Sequence, residues 1–376
     1  MDNVPFAKGI NTNVDRSERN LGLDTMRTIC VVAIVFFHTN NFLGKFTSIY
    51  KTLFPIGYLL QELFFGLSGF LVGRQILKHI NQPKSNLNLI TFYKNRWLRT
   101  VPLYFMFIII NFILLKTIYI YSLPHFNNLL FNVFNYFLFT QNLFTQHPYF
   151  FPEIWPLPIE EWSFLVLPIP IFTYNYITKK NMTLNQLLLL IFIEIVLISC
   201  LRINYILSTN PDLDWGLRKI VVYRLDSLLY GFALTLLINK FQAFFVKYKL
   251  WLMLIGFTTS VIFYYSQKTM SPYFFKASLF NVLPFFMCLM IPYFYFTSFD
   301  YVNKKLKALI THISLVSYSI LLTHLYFLQF FMLSLFTPQN IIQGLVFILL
   351  YIILLYYISK TTFNYIERPL LLRRNK

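Results

Sequence analysis

Long apolar runs constrain this chain more than any other feature. Several of them approach or exceed the roughly 20 residues that a helix needs to cross the hydrocarbon core of a bilayer. Only 12% of the 376 residues are charged and 57% are hydrophobic, whereas a soluble domain carries about a quarter charged residues. The sequence therefore predicts an all-α fold, a polytopic bundle of transmembrane helices.

The pattern of apolar runs predicts about ten spans. They lie near 24–43, 53–77, 97–120, 155–177, 184–202, 223–242, 249–266, 276–297, 313–336 and 342–361. If the N-terminus is cytoplasmic, most Lys and Arg residues fall on the cytoplasmic side, and this asymmetry predicts that both termini are cytoplasmic. The opposite side then holds a loop at 203–222, with Arg202 and Arg224 among its flanking cations.

A single membrane domain accounts for nearly the whole chain. Residues 1–22 form a hydrophilic cytoplasmic segment without the features of a cleavable signal peptide, 23–370 form the transmembrane domain, and 371–376 form a basic cytoplasmic tail. The net charge of +18 is explained by cytoplasmic loops, so we expect no nucleic-acid partner. The aromatic, amide-rich stretch at 121–154 is predicted to be a re-entrant or interfacial helix.

Arg27 and His38 are eleven residues apart in the first predicted span. On a helix this spacing is close to three turns, so both side chains share one face, roughly 16 Å apart along the axis. A permanent cation at the membrane edge and an imidazole at mid-depth are costly to place in lipid. The pair indicates a ligand that is held at one end and reacted at the other.

Other ionisable residues in or beside the spans are functional candidates by default, although they also occur as buried structural pairs. They are Asp24, Glu62, Arg96, Arg99, Glu160, Glu161, Arg224, Asp226 and His324. Arg96 and Arg99 are three apart and share a helix face. Guanidinium groups bind phosphate bidentately, so this pair fits a phosphate-bearing ligand; anchoring at the cytoplasmic edge explains it equally well.

Several of these candidates have two interpretations. In the first interpretation, His38 is a neutral general base or a nucleophile. In the second, it is a structural histidine whose hydrogen bonds are made to a neighbouring helix. We favour the first because Arg27 is aligned with it. For His324 the two interpretations are level.

Local spacing separates the remaining candidates. Glu160 and Glu161 point about 100° apart on a helix, so they form no carboxylate dyad. One of them is expected to face the cavity that holds the ligand, and the other a structural partner. Arg224 and Asp226 are expected to pair with charges on other helices. Ser68 and Gly69 indicate close helix packing.

Seven sequence blocks, in order, resemble the acyltransferase 3 family of integral membrane O-acyltransferases. Arg27 with His38 matches its Arg-x10-His motif, and Arg96 with Arg99 matches its Arg-x-x-Arg motif. The other blocks are Glu62-Leu63-Phe64-Phe65-Gly66-Leu67-Ser68-Gly69-Phe70, Trp155 to Glu161, Arg224-Leu225-Asp226, Ser317-Tyr318-Ser319 with His324, and Ile366-Glu367-Arg368-Pro369. The resemblance covers about 23–370. Thr25, Thr28, Pro156 and Trp162 depart from the family pattern.

The resemblance implies transfer of an acyl group, usually acetyl, from cytoplasmic acyl-CoA to a hydroxyl of a surface glycan or its lipid-linked precursor. Arg27, Arg96 and Arg99 would then bind acetyl-CoA, the donor substrate, and no metal is expected. His38 would act as a base or accept the acyl group transiently, and Glu160 would orient His38 or the acceptor. Asp24, Glu62, Ser68, Glu161, Arg224, Asp226 and His324 would support the site.

The expected partners are therefore acyl-CoA, a glycan or lipid-linked saccharide, and membrane lipid. The expected location is a cell membrane, as a multi-pass protein of the cytoplasmic membrane of a bacterium. A transporter or flippase of glycan or anionic substrates is the alternative, because charges near the membrane midplane suit it equally well. Against that alternative, the sequence contains no visible duplicated half.

Overall fold

The computed structural model describes residues 19–47, 49–80, 89–118 and 133–374, and the regular elements in this part of the chain are helical. We label the α-helices α1 (Leu21–His38), α2 (Asn40–Leu43), α3 (Ile49–Ile80), α4 (Leu89–Ile118), α5 (Pro156–Val166), α6 (Pro168–Thr178), α7 (Leu184–Thr209), α8 (Leu229–Lys240), α9 (Gln242–Tyr265), α10 (Pro272–Cys288), α11 (Ile291–Phe296), α12 (Lys304–Thr323), α13 (Phe331–Leu335), α14 (Ile341–Thr362) and α15 (Arg368–Arg374). A 3₁₀ turn spans Pro152–Ile154, and π-helical turns span Asp214–Arg218, His324–Phe330 and Phe363–Glu367.

Eight helical stretches in the described part are long and apolar enough to cross a membrane. They correspond to eight of the predicted spans and confirm a polytopic helical bundle. The predicted span at 155–177 is divided between α5 and α6, because Pro168 begins a new helix after Leu167. The predicted span at 223–242 contains the shorter helix α8. The count of ten and the sidedness of the termini stay predictions.

Two boundaries differ from the sequence prediction in a way that matters for charge. Helix α7 continues to Thr209, so Arg202 lies inside a helix and is buried, and the predicted start of the loop at residue 203 was wrong. Helix α4 begins at Leu89, so Arg96 lies about two turns inside it. The predicted re-entrant segment at 121–154 falls partly outside the described residues.

Polar side chains fix where several of the long helices begin. The Asn20 side chain accepts a hydrogen bond from the Leu23 N–H at the start of α1, and Thr183 forms a capping box with Gln186 at the start of α7. Such caps satisfy backbone N–H groups that have no partner within the helix. The functional residues of α1 are therefore carried on a helix with a defined first turn.

Helix α3 lies at the centre of the bundle and is the most buried of the long candidate spans. It packs most extensively against α8, and α1 lies between α3 and α12. The α3–α8 contact requires glycine, because a Cβ at Gly231 would collide with the Gly66 carbonyl and one at Gly69 with the Leu228 carbonyl. Close backbone approach through small residues, predicted for Ser68-Gly69, is therefore confirmed.

Candidate active site

The imidazole rings of His38 and His324 face each other at the end of α1. Their centroids are 5.0 Å apart and the rings are tilted by 57°. His38 is half-buried and His324 is buried. His324 begins the π-helical turn His324–Phe330, and π-helical turns inside longer helices frequently mark functional sites. The structure therefore brings together the two histidines that the sequence singled out separately.

Hydrogen bonding defines the tautomer of His324. Its Nδ1 lies 2.9 Å from the Leu321 carbonyl oxygen. A carbonyl only accepts, so Nδ1 carries the proton and Nε2 of the neutral ring carries a lone pair. Nε2 is buried and has no hydrogen-bond partner within the described residues. His324 thus presents a free basic nitrogen in the wall of the site.

A glutamine bridge holds the two histidine-bearing segments together. Gln329, within the π-helical turn, donates from Nε2 to the His38 carbonyl oxygen at 2.6 Å. Its Oε1 accepts a hydrogen bond from Asn41 Nδ2 at 2.8 Å. Sequence reasoning missed Gln329 and Asn41, because nothing in their local sequence separates them from ordinary polar residues at a helix end.

Glu153, in the 3₁₀ turn Pro152–Ile154, contacts the same π-helical turn. Its Oε1 accepts the backbone N–H of Tyr326 at 2.7 Å, and its Oε2 is buried without a described partner. Burial raises the pKa of Glu153 to about 8, and the backbone N–H groups of Tyr326 and Leu325 oppose that shift. Sequence reasoning also missed Glu153, since it lies outside the predicted apolar spans, in the 3₁₀ turn Pro152–Ile154.

Arg27 and Arg99 lie together at the opposite end of α1, which is the predicted cytoplasmic end. Arg27 interacts electrostatically with Arg99, Asp24 and Glu160. Within the described residues neither Arg27 nor Arg99 has a hydrogen bond or an ion pair of its own, and Arg99 is exposed. Carboxylates act on these two arginines electrostatically without an ion-pair contact, so the guanidinium groups keep N–H donors that can bind an anionic ligand.

Arg96 differs from these two arginines because it is paired. Its guanidinium lies 3.3 Å from Glu161 Oε1 and 3.7 Å from Glu160 Oε2, and it covers the ring of Phe164. Glu160 also accepts a hydrogen bond from Ser68 Oγ at 3.0 Å. The described bonds of Glu160 thus reach Ser68 and Arg96, and none reaches His38. This position favours a role of Glu160 near the arginines.

Two further carboxylates flank the arginine end. Asp24 pairs with Arg19 at 2.7 Å and accepts a hydrogen bond from Ser314 Oγ at 2.7 Å, which joins α1 to α12. Glu367, in the last π-helical turn, accepts a hydrogen bond from Ser319 Oγ at 3.0 Å and interacts electrostatically with Arg99 and Arg27. Asp24 and Glu367 are therefore acidic side chains that flank Arg27 and Arg99 at this end of α1.

The predicted pairing of Arg224 and Asp226 with other helices is present in the structure. Arg224 Nη2 lies 2.7 Å from Glu62 Oε2 of α3, and Arg202 Nη2 of α7 lies 2.9 Å from Asp226 Oδ2. All four side chains are fully buried. Closed pairs of this kind have no open side for a ligand, so Glu62, Arg224 and Asp226 hold helices together.

Comparison with known families identifies the family of this chain. The bundle is that of a multi-pass membrane protein with a histidine pair and an arginine cluster at opposite ends of one helix. The family model of the acyltransferase 3 group, described as an acyltransferase domain, matches residues 20–360. The chain therefore belongs to the acyltransferase 3 family and is a membrane acyltransferase. No curated protein and no solved structure matches it.

Proposed function

We propose that this acyltransferase transfers an acetyl group from cytoplasmic acetyl-CoA to a hydroxyl of a cell-surface glycan or its lipid-linked precursor, in a cell membrane. The observation that carries the proposal is that α1 has arginines at one end and histidines at the other. One end holds Arg27 and Arg99, neither of which forms an ion pair within the described residues, and the other end holds His38 against His324.

The arginine end fits the donor. The nucleotide part of acetyl-CoA carries several phosphate charges, and guanidinium groups bind phosphate through paired N–H donors. Arg27 and His38 are eleven positions apart on one continuous α-helix, which is roughly 16 Å along the axis. The extended pantetheine arm of the donor matches a rise of this size and would bring the thioester to His38.

The histidine end fits the transfer step. In the proposed reaction His38 removes the proton of the acceptor hydroxyl while the oxygen attacks the thioester carbonyl. The C–S bond breaks, an ester C–O bond forms, and the proton passes to the leaving sulfur, so that free CoA is the second product. General base catalysis of this kind contributes typically 10²–10⁴-fold. The Nε2 lone pair of His324 would hold the His38 ring in position during the transfer.

The direct test uses the purified chain in lipid nanodiscs with radiolabelled acetyl-CoA and candidate glycans. Labelled glycan in the wild type and its loss in His38→Ala support the proposal; transfer by His38→Ala at the wild-type rate contradicts it. His38 could act as a base in direct transfer or carry the acetyl group covalently. Mass spectrometry of the intact protein after reaction without acceptor distinguishes these two routes, because only the covalent route adds the mass of an acetyl group to the protein at His38.

A transport assay separates the proposal from a flippase. In proteoliposomes, movement of the glycan across the membrane without any acyl donor would favour the flippase. In cells, the glycans of strains with and without the gene are expected to differ by the mass of one acetyl group.

A further inference from the structure

A second charged cluster lies beyond His38, in the segment between α7 and α8. We call it the Asp214 cluster; it consists of Asp214, Arg218 and Lys219. Asp214 lies 2.6 Å from Arg218 Nη1 and 2.7 Å from Lys219 Nζ. The π-helical turn Asp214–Arg218 directs one carboxylate toward two consecutive cations.

Aromatic rings surround these cations. The Arg218 guanidinium lies 3.8 Å from the ring centre of Tyr58 and 4.6 Å from that of Trp155. The Lys219 ammonium lies 3.5 Å from the ring centre of Trp215. Trp215 in turn packs against Tyr149, with ring centres 5.1 Å apart, and Tyr149 is 74% exposed. A path of aromatic side chains therefore leads from the exposed ring of Tyr149 to Lys219.

The Asp214 cluster is not closed, unlike the two buried ion pairs. The Arg218 and Lys219 side chains each keep 11% of their surface exposed, and Asp214 keeps 27%, whereas the ion pairs of Arg202 and Arg224 are fully enclosed. Asp214 is the carboxylate in ion-pair contact with both cations, and the Asp212 carboxylate acts on Lys219 electrostatically without such a contact.

Hydrogen-bond donors are left over in the cluster. The hydrogen bonds described for the Asp212 carboxylate come from the backbone N–H groups of Asp214 and Trp215. Arg218 Nε is buried without a partner, and a lysine ammonium has two donors beyond the one that Asp214 uses.

The cluster lies next to the proposed reaction centre. After His324, Lys219 and Arg218 are the groups that act most strongly on His38 by electrostatics. The ring of Tyr58 lies against Arg218, and Tyr58 follows Gly57. A Cβ added at Gly57 would lie 3.3 Å from Cδ2 of Phe37, the residue before His38. A ligand bound at the Asp214 cluster would therefore place a hydroxyl group near His38 from the side opposite to Arg27.

We propose that the Asp214 cluster binds a saccharide acceptor that carries an anionic group, either a carboxylate or a phosphate, with the sugar ring on Trp215 or Tyr149. Spare donors of Arg218 and Lys219 would hold the anion, and the aromatic faces would hold the apolar face of the sugar. This inference rests on the proposed function, since it names the acceptor class for the same reaction.

The test measures binding without acyl donor, so that it does not depend on turnover. The full chain in nanodiscs is titrated with an oligoglucuronate, a phosphate-bearing oligoglucoside and the uncharged oligoglucoside of the same length. We expect one of the two anionic probes to bind at least about tenfold more tightly than the neutral one, because a charge-assisted hydrogen bond contributes more than a neutral one. The preferred anionic probe identifies the source of the charge.

The variant Lys219→Gln is compared with Lys268→Gln, which removes a cation outside the cluster. We expect Lys219→Gln to weaken binding of the preferred anionic probe about tenfold and to leave neutral binding unchanged, and Lys268→Gln to change neither. If Lys219→Gln does not fold, the wild type still decides the question, because its preference for the anionic probe must fall as NaCl is raised.

Equal binding of anionic and neutral probes by the wild type would overturn the inference and leave the acyltransferase proposal standing. The same conclusion follows if Lys219→Gln and Lys268→Gln behave alike. Selective binding of an anionic probe without any acetyl transfer to it would instead count against the proposed function, while the binding site would be retained.

Discussion

The imidazole rings of His38 and His324 face each other with their centres 5.0 Å apart, although they come from opposite ends of the chain. His38 ends the first long helix and His324 begins a π-helical turn near the end of the domain. Gln329 bonds the His38 carbonyl and thereby fixes one histidine-bearing segment on the other. The catalytic proposal therefore concerns a pair of residues.

We expect His38→Ala to lower kcat by about 10²–10⁴-fold and His324→Ala to lower it less, since in the proposed reaction His38 contacts the acceptor and His324 only positions His38. Because the two act as a unit, the double variant should lose less than the product of the single losses. Release of free CoA, followed with a thiol reagent, measures all three. His312→Ala is the control, because His312 packs against Tyr356 outside this pair; a fall of kcat in His312→Ala as large as in His38→Ala would refute the assignment.

Substitution of the unpaired arginines should affect the donor rather than the acceptor. We expect Arg27→Gln and Arg99→Gln each to raise the KM for acetyl-CoA about 10–100-fold, the equivalent of one lost charge-assisted hydrogen bond, and to leave the KM for acceptor unchanged. Lys94→Gln is the matched control, because Lys94 is an exposed cation on the same helix as Arg99. An unchanged KM for acetyl-CoA in both arginine variants would remove the donor site from this end of α1.

The buried pair of Glu62 and Arg224 should dominate stability. We expect Glu62→Gln to lower the free energy of unfolding by about 3–5 kcal/mol, because it leaves the Arg224 guanidinium buried without its counter-charge. Asp300→Asn is the control: Asp300 is 90% exposed and lies 3.9 Å from Lys307, and loss of such a pair costs at most about 1 kcal/mol. Thermal unfolding in detergent gives the comparison, and equal Tm shifts for both variants would contradict the assignment.

Glu153 should make stability depend on pH. Its carboxyl group has a pKa raised to about 8 in the folded chain, whereas an unfolded glutamate titrates near 4.3. Between these values the folded state holds a proton that the unfolded state has lost, so this contribution is complete below about pH 4 and is lost as the pH rises through 8.

The variant Glu153→Gln keeps an oxygen that accepts the Tyr326 N–H and removes the titration. We expect the Tm of the wild type to fall more steeply than that of Glu153→Gln between pH 5 and 9, and we expect Glu153→Gln to retain activity. Parallel Tm curves for the two proteins would show that Glu153 does not titrate in this range.

Much of the fold was predictable because lipid imposes length and polarity on each span separately. Eight apolar stretches appear as helices near their predicted positions, and the candidate pair Arg27 and His38 falls on one continuous helix. The pairing of Arg202 with Asp226 was not predicted, because it depends on how α7 lies beside the segment before α8. Local hydropathy contains no information on such a partner.

The sequence by itself determined the class of fold, the family and the residues that are candidates for catalysis or binding. These follow from the length of the apolar runs, the positions of charges and the spacing of motifs along the chain. Only the tertiary structure decided which of those residues meet. It placed His324 against His38 and paired Arg224 with Glu62. It left Arg27 and Arg99 without an ion pair within the described residues, and it brought Arg218 and Lys219 close enough to act on His38 electrostatically. The reason is physical: a buried polar group is satisfied by whatever the packing of distant helices brings to it, and that packing belongs to the whole bundle.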